Sequence, residues 1–390
     1  MADLRKVVLL GATGSIGASA CEVLRANAEH LQLEGVACRE NARALAEICR
    51  EFKVPHAGVM DPAAAAAARR ENLFPEGTTL HEGAEGLSTL ATLPAVDTVL
   101  VSIVGTGGLA PTLAAIEAGK TIALASKEVL VMAGDFVQAA LRKSKSRLLP
   151  VDSEHNALFQ CLENRPPEEV GRVILTASGG AFRDRPLETF SSITPEEATA
   201  HPTWTMGRKI TVDSATMANK GLEVIEAAHL FGLAAEQIEV VIHPQSILHG
   251  LVEWSDGSLL AQLSEPSMTF AIQHCLRYPE RGGRAGPKLS WQEAISLEMR
   301  PLDPQRYPAL GLAYDALRQG GTGPAIFNAA NEVAVEAFLD GRCRFPEIVR
   351  IIEHTLQKVN SSPAGSLAEL AERDREARAL AGEWVTRKFA

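Results

Sequence analysis

Positive charge is what this sequence is short of. Lysine and arginine number 38 against 48 aspartates and glutamates, a formal charge of −10, and a nucleic-acid partner would need the opposite balance. An anionic small substrate stays open, because a local cluster of basic groups or a metal can oppose the overall sign. The six cysteines (Cys21, Cys38, Cys49, Cys161, Cys275, Cys343) form no C-x-x-C pair and no regular framework, which fits reduced thiols in a cytosolic protein. No apolar run approaches a membrane span. The run from Val7 to Leu10 is too short for a signal peptide and leads straight into a glycine turn. There is no internal repeat, and no low-complexity segment beyond the alanines at 63–68.

What is present describes a globular chain. At 390 residues, 46% hydrophobic and 22% charged, it exceeds one typical core and should divide into two or three domains. Lys6 to Leu10 is a short apolar run, followed at once by Gly11-Ala12-Thr13-Gly14-Ser15-Ile16-Gly17 and an amphipathic helical pattern. Strand, glycine turn and helix in that order are what a dinucleotide site requires: backbone N–H groups can approach a pyrophosphate where the helix dipole favours anions. A second strand, Leu33–Cys38, ends in Arg39-Glu40-Asn41, about twenty residues on, where the adenosine ribose is read. An Arg there suits the 2′-phosphate of NADP, Glu40 pulls the other way, and a solvated strand end is the plain alternative.

Further strands are expected at 57–60, 97–104, 121–125 and 148–151, with helices between them, which makes a parallel, doubly wound sheet. Ser126-Lys127-Glu128 closes one of these strands at the carboxyl edge, where ligands bind. After Asp152 the pattern changes. Val173–Ala177 runs into Ser178-Gly179-Gly180, a turn able to present a hydroxyl and N–H groups to phosphate, or an ordinary loop. The loop from 198 to 208 carries His201, Trp204 and Met206; it is either a surface loop anchored by Trp204 or a lid that excludes water. Strand-like runs at 240–243, 247–254 and 258–263, with Ser255-Asp256-Gly257 as a hairpin turn, suggest a partly antiparallel sheet. His243 and His249 read as structural. A Gly/Pro/Arg-rich linker follows, then helical patterns at 310–318, 325–339, 345–359 and 366–378.

The acidic chemistry gathers between Leu148 and Glu226. Asp152 and Glu154 sit two apart at what reads as a strand end, so both can point to one side. Glu223, with Asn219 and Lys220 beside it, would be the third carboxylate. An all-oxygen set with open positions suits Mg²⁺ or Mn²⁺. A charged strand end and a solvated helix face are the bland reading of the same residues.

With both halves read, the chain resembles the 1-deoxy-D-xylulose 5-phosphate reductoisomerase family along essentially its whole length. The resemblance rests on the Gly11–Gly17 turn, Ser126-Lys127-Glu128, the Leu149–Asn156 segment, Thr176–Gly180, His201 through Glu226, His243-Pro244-Gln245-Ser246 and Asn328–Glu332. It implies metal-dependent rearrangement and NADPH reduction of 1-deoxy-D-xylulose 5-phosphate to 2-C-methyl-D-erythritol 4-phosphate in non-mevalonate isoprenoid synthesis, by a cytoplasmic bacterial homodimer. The implied architecture is α/β. It has an N-terminal Rossmann-type domain (1–151), a central α+β catalytic domain (152–278) with a flap at 198–208, a linker (279–308) and a C-terminal helical bundle (309–390).

By the same resemblance Asp152, Glu154 and Glu223 ligate the divalent metal, which could be Mg²⁺, Mn²⁺ or Co²⁺. Ser178, Ser214, Asn219 and Lys220 hold the substrate phosphate and His201 closes over it, while Ser153 and Lys127 face its oxygens. The cofactor positions are Thr13, Gly14, Ser15, Ile16, Arg39, Ser126, Glu128 and Gly207. Two positions depart from the family: Ser126 stands where Asn is usual, and Glu40 replaces a usual Asn. Two other functions are compatible with parts of the chain: a semialdehyde or homoserine-type dehydrogenase, the former needing Cys161 as nucleophile, and a non-enzymatic nucleotide sensor.

Overall fold

Short β-branched and aliphatic runs, each followed by a helix, build the first half of the chain. The computed structural model describes residues 4–163, 165–292 and 294–389. The first elements are β1 (Arg5–Leu10), α1 (Ser15–Ala26), β2 (Leu31–Cys38), α2 (Ala42–Phe52), β3 (His56–Val59), α3 (Pro62–Arg70), β4 (Thr79–Glu82) and α4 (Gly83–Ala91). They continue with β5 (Thr98–Val101), α5 (Leu109–Glu117), β6 (Thr121–Leu124), α6 (Glu128–Leu141), β7 (Arg147–Pro150) and α7 (Ser153–Leu162). The seven strands pair in parallel in the order β4-β3-β2-β1-β5-β6-β7. Helices cover both faces of such a sheet, so its central strands read as continuous apolar runs instead of alternating ones. Val7 to Leu10 and Val99 to Val101 are accordingly buried.

Two sequence expectations fail here. The edge strand β4 and helix α4 were not anticipated, because an edge strand of Thr-Leu-His-Glu needs little hydrophobicity to pair on one side. Glu154 lies in the first turn of α7, not on a strand. The strand stops at Pro150, and Asn156 N donates to Asp152 O at 2.8 Å, the first turn of a helix.

The remaining elements are β8 (Val170–Ala177), α8 (Pro195–Ala198), α9 (Arg208–Thr216), α10 (Ala218–Phe231), β9 (Ile238–Ile242), β10 (Leu248–Trp254) and β11 (Leu259–Leu263). Helices α11 (Met268–Arg277), α12 (Pro308–Gln319), α13 (Gly323–Leu339), α14 (Phe345–Lys358) and α15 (Leu367–Phe389) complete the chain. The second sheet has the order β11-β10-β8-β9. Its β8–β9 pair is parallel and the other two are antiparallel, with the expected turn closed by Asp256 Oδ1 accepting from Ser258 N at 2.9 Å. The four C-terminal helices fall where the sequence pattern put them, although α15 runs on to Phe389.

The chain separates into two compact units. One comprises the chain through Val129, Asp135–Asn156 and Ser267–Lys288; the other comprises Leu130–Gly134, Ala157–Pro266 and the chain from Leu289. Helix α11 belongs to the first, where Asn27 Nδ2 donates to Gln273 Oε1 at 3.1 Å and Arg5 Nη1 to Leu276 O at 2.7 Å. In the second unit, one core lies under the sheet (Leu175, Val224, Val240, Val252) and another between α9, α10 and α12–α15 (Val212, Leu222, Phe327, Phe338, Phe345). No helix among the described residues is long and apolar enough to cross a membrane.

Candidate active-site residues

In the first unit the glycine turn occupies the carboxyl end of β1. Gly11 has φ +99°, and a Cβ there would lie 2.4 Å from Ser102 O, so no other residue fits. Gly17 is fixed by packing, since its Cβ would meet Ala12 O at 2.2 Å. Gly14 has no such constraint; it is exposed, as is Ser15, with Thr13 and Ile16 half-buried beside them. No side chain caps α1, which leaves its first N–H groups to an outside acceptor, as an anion site requires. Arg39 and Glu40 are exposed at the end of β2, while Asn41 caps α2 by accepting from Ala44 N at 3.2 Å.

Ser126, Lys127 and Glu128 are all buried at the start of α6. The Ser126 hydroxyl donates to Ile103 O at 2.6 Å, so its one proton serves the loop after β5 and only its oxygen can face a ligand. Lys127 Nζ lies 2.8 Å from Asp152 Oδ2, and His155 Nδ1 lies 3.4 Å from the same oxygen. Burial raises the Asp152 carboxyl, but the Lys127 charge and then His155 outweigh it and hold the group well below the usual carboxylate range. One residue on, Ser153 Oγ donates to Glu154 Oε2. The segment is pinned by buried Asn156, which donates to Pro150 O at 2.9 Å and lies 3.2 Å from His274 Nδ1 on α11. His155, fully buried, is a partner that the sequence reading did not single out. Its i,i+3 spacing from Asp152 was the available signal.

In the second unit, three pieces of backbone converge. The turn after β8 brings Gly180 (φ +68°) so close to α9 that a Cβ would lie 2.7 Å from Ser214 O and 2.6 Å from Ala215 Cα. Glycine there lets the Ser178 turn rest directly on the helix that carries Ser214. Tyr307 Oη donates to Gly179 O at 2.9 Å and Arg183 Nη1 to Ser178 O at 3.0 Å, fixing the turn from behind. The third piece is α10, which follows α9 through Met217 in the left-handed conformation (φ +62°). On its first turn Asn219 and Lys220 both donate to Glu223. Lys220 and Glu223 are buried at 3% and 1% exposure, so the pair is shielded from solvent.

His201 joins the loop 198–208 to this turn. Its Nδ1 accepts from Thr203 N at 3.1 Å and Trp204 N at 2.9 Å. The ring proton therefore sits on Nε2, which lies 3.0 Å from Ser178 Oγ. Burial, then the charge of Arg183, push the imidazole down to about 4. The Trp204 indole stands edge-on to His249, with ring centroids 6.3 Å apart, and Met206 is half-buried while Gly207 is exposed. His249 in turn lies 3.0 Å from Ser264 Oγ. His243 accepts from Ile247 N and Leu248 N, both at 3.2 Å, which is a structural role.

The fold is an α/β one with a dinucleotide-type sheet edge, and the first unit holds a buried lysine–aspartate pair. Comparison with known proteins makes the class specific. The 1-deoxy-D-xylulose 5-phosphate reductoisomerase family model matches residues 7–134, the family's C-terminal domain model matches 148–231, and a further DXP reductoisomerase C-terminal domain model matches 263–380. The 1-deoxy-D-xylulose 5-phosphate reductoisomerases of Ralstonia pickettii and Dechloromonas aromatica are each 47% identical, with 98% of both chains covered. Among solved structures, the Zymomonas mobilis reductoisomerase in complex with NADPH has a TM-score of 0.91 at 41% identity, covering 98% of this chain and 99% of that one. A reductoisomerase in complex with NADPH, fosmidomycin and magnesium has a TM-score of 0.90 at 37% identity, covering 98% of both chains. The chain belongs to the 1-deoxy-D-xylulose 5-phosphate reductoisomerase family.

Proposed function

We propose that the protein rearranges 1-deoxy-D-xylulose 5-phosphate and reduces the resulting aldehyde with NADPH to 2-C-methyl-D-erythritol 4-phosphate. What carries this reading is full-length family membership together with the buried Lys127–Asp152 pair. Residues 1–151 bind the cofactor through Thr13, Gly14, Ser15, Ile16, Arg39, Ser126 and Glu128, and Gly207 is a further cofactor position outside that span. Ser178, Ser214, Asn219 and Lys220 take the phosphate, so that binding energy at the unreactive end orients the reacting one. Residues 198–208 act as a flap, and His201 donates its Nε2–H towards the bound substrate.

The divalent cation is assigned to Asp152, Glu154 and Glu223, as the family resemblance implies. The all-oxygen set fits Mg²⁺ or Mn²⁺, and His155 is then a support for Asp152. When bound, the ion supplies Lewis-acid polarisation of the substrate's carbonyl and hydroxyl oxygens. Lys127, already paired with Asp152, is placed to stabilise a developing alkoxide or move its proton. Ser153 hydrogen-bonds a substrate oxygen.

The semialdehyde-dehydrogenase alternative loses its nucleophile, because burial pushes the Cys161 thiol up to about 11. The sensor alternative leaves the buried Lys127–Asp152 pair and the anion cradle without a use. The decisive experiment is NADPH oxidation with 1-deoxy-D-xylulose 5-phosphate, with and without chelator. Turnover that survives exhaustive chelation, or that persists in Glu223→Gln, overturns the metal assignment.

The homodimer is part of the same proposal. Strand β11 is a sheet edge that exposes Leu259 at 52% and Leu260 at 46%, a surface that natural sheets usually cover, and a second copy of the chain is the occupant we assign. A cytoplasmic location is supported by free thiols at all six cysteines, five of them buried.

A further inference from the structure

Helix α9 is nine residues long and has no side-chain cap. Yet it carries Ser214 and receives the Gly180 turn. Its one buried carboxylate, Asp213, faces away from solvent at 1% exposure. Both of its oxygens are engaged: Lys209 Nζ lies 2.7 Å from Oδ2, and Asn331 Nδ2 donates to Oδ1 at 3.0 Å. Asn331 comes from the middle of α13 and is completely buried. Its own Oδ1 has no hydrogen-bond partner among the described residues.

That orphaned oxygen is informative. A buried amide acceptor left unmet costs free energy, and a buried ion pair is weak evidence for stability because apolar replacements are often as good. The amide is instead turned to give its N–H to Asp213 and leave its oxygen bare. The arrangement fixes direction: α13 holds Asp213, Asp213 holds the first turn of α9 through Lys209, and the next residue along is Ser214.

We propose that Asp213 and Asn331 are positioning residues for the phosphate cradle, setting where Ser214 stands against the Ser178 turn. The proposal rests on the reading of that cradle as the phosphate site. Neither residue touches substrate, so neither is catalytic.

The test uses the full-length enzyme and two ligands, the phosphorylated ketose and inorganic phosphate as a competitive inhibitor. Asn331→Asp sets two carboxylates face to face. It should raise both KM and the inhibition constant for phosphate by about tenfold, with kcat changed by less than about threefold and NADPH affinity unchanged. The exchange Asp213→Asn with Asn331→Asp restores one donor and one acceptor and should recover most of the lost affinity, a coupling that independent sites would not show. Asn331→Leu removes the donor without adding charge; it leaves Asp213 Oδ1 unmet and should lower Tm, yet still weaken phosphate in the folded enzyme. Wild-type phosphate affinity in either folded single variant overturns the proposal, whatever happens to Tm. A wild-type enzyme that phosphate does not inhibit overturns the cradle reading itself, and the proposal with it.

Discussion

Lys127 Nζ stands 2.8 Å from Asp152 Oδ2, with the two side chains at 9% and 14% exposure. Breaking such a pair from one side leaves, in the metal-free protein, a carboxylate shielded from water with His155 as its remaining neighbour, which costs about 3 kcal/mol or more. Lys127→Met should therefore lower stability as well as abolish turnover. The pH dependence has a definite sign. A carboxyl held below its unfolded value contributes stability that is fully present above about pH 4 and fades as pH falls further. Urea denaturation of both proteins at neutral pH is the check; equal midpoints would separate the pair from stability.

Much of this was legible before any coordinates. The Gly11–Gly17 turn and the alternation of strand and helix are local patterns, and local patterns survive folding. Asp152 and Glu154 were read correctly as neighbours but for a wrong reason: strand periodicity was invoked where a helix begins. The Asp213–Asn331 bond could not be read at all. It joins residues more than a hundred positions apart, and although both lie in segments that carry the family resemblance, nothing in either segment says that the two meet. The same holds for Ser126, whose hydroxyl turns inward to Ile103 O.

Arg39 tests the cofactor preference. It is exposed at the end of β2 with Glu40 beside it, and only NADPH offers a 2′-phosphate to its fork of donors. Arg39→Ala should raise KM for NADPH by about tenfold or more while leaving KM for NADH within about twofold. Steady-state kinetics with both cofactors decide it, and equal effects would place Arg39 outside the adenosine pocket. Glu40→Asn should act in the opposite direction, strengthening NADPH by removing a like charge from the phosphate.

His201 gives a second signature in pH. Its neutral form accepts two backbone N–H groups at Nδ1, and protonating that nitrogen breaks both bonds. The folded imidazole is pushed down to about 4 by burial and then by Arg183, below its unfolded value of about 6.5. Its contribution to stability is thus complete above about pH 6.5 and is lost as pH falls from there towards 4. His201→Gln should flatten that part of the stability profile. An unchanged slope of denaturation midpoint against pH between 6.5 and 4 would mean that His201 is not the group responsible.

Trp204 decides between a lid and an anchor. The His201 ring fixes the backbone at Thr203 and Trp204, so the loop leaves the Ser178 turn in one direction, and its indole comes to rest edge-on against His249. A half-buried indole on an irregular loop, followed by a half-buried Met206 and an exposed Gly207, has apolar surface left to cover something. A phosphonate substrate mimic added with metal should accordingly change the fluorescence of a variant that keeps Trp204 alone among the four tryptophans. Trp204→Ala should weaken the mimic and lower kcat/KM by about tenfold, because water then reaches the aldehyde before hydride does. NADPH affinity in the binary complex should stay as it was. The contact with His249 gives the anchor reading its own prediction: lower Tm with full turnover per folded molecule. That result, and not a loss of activity alone, would rule out the lid.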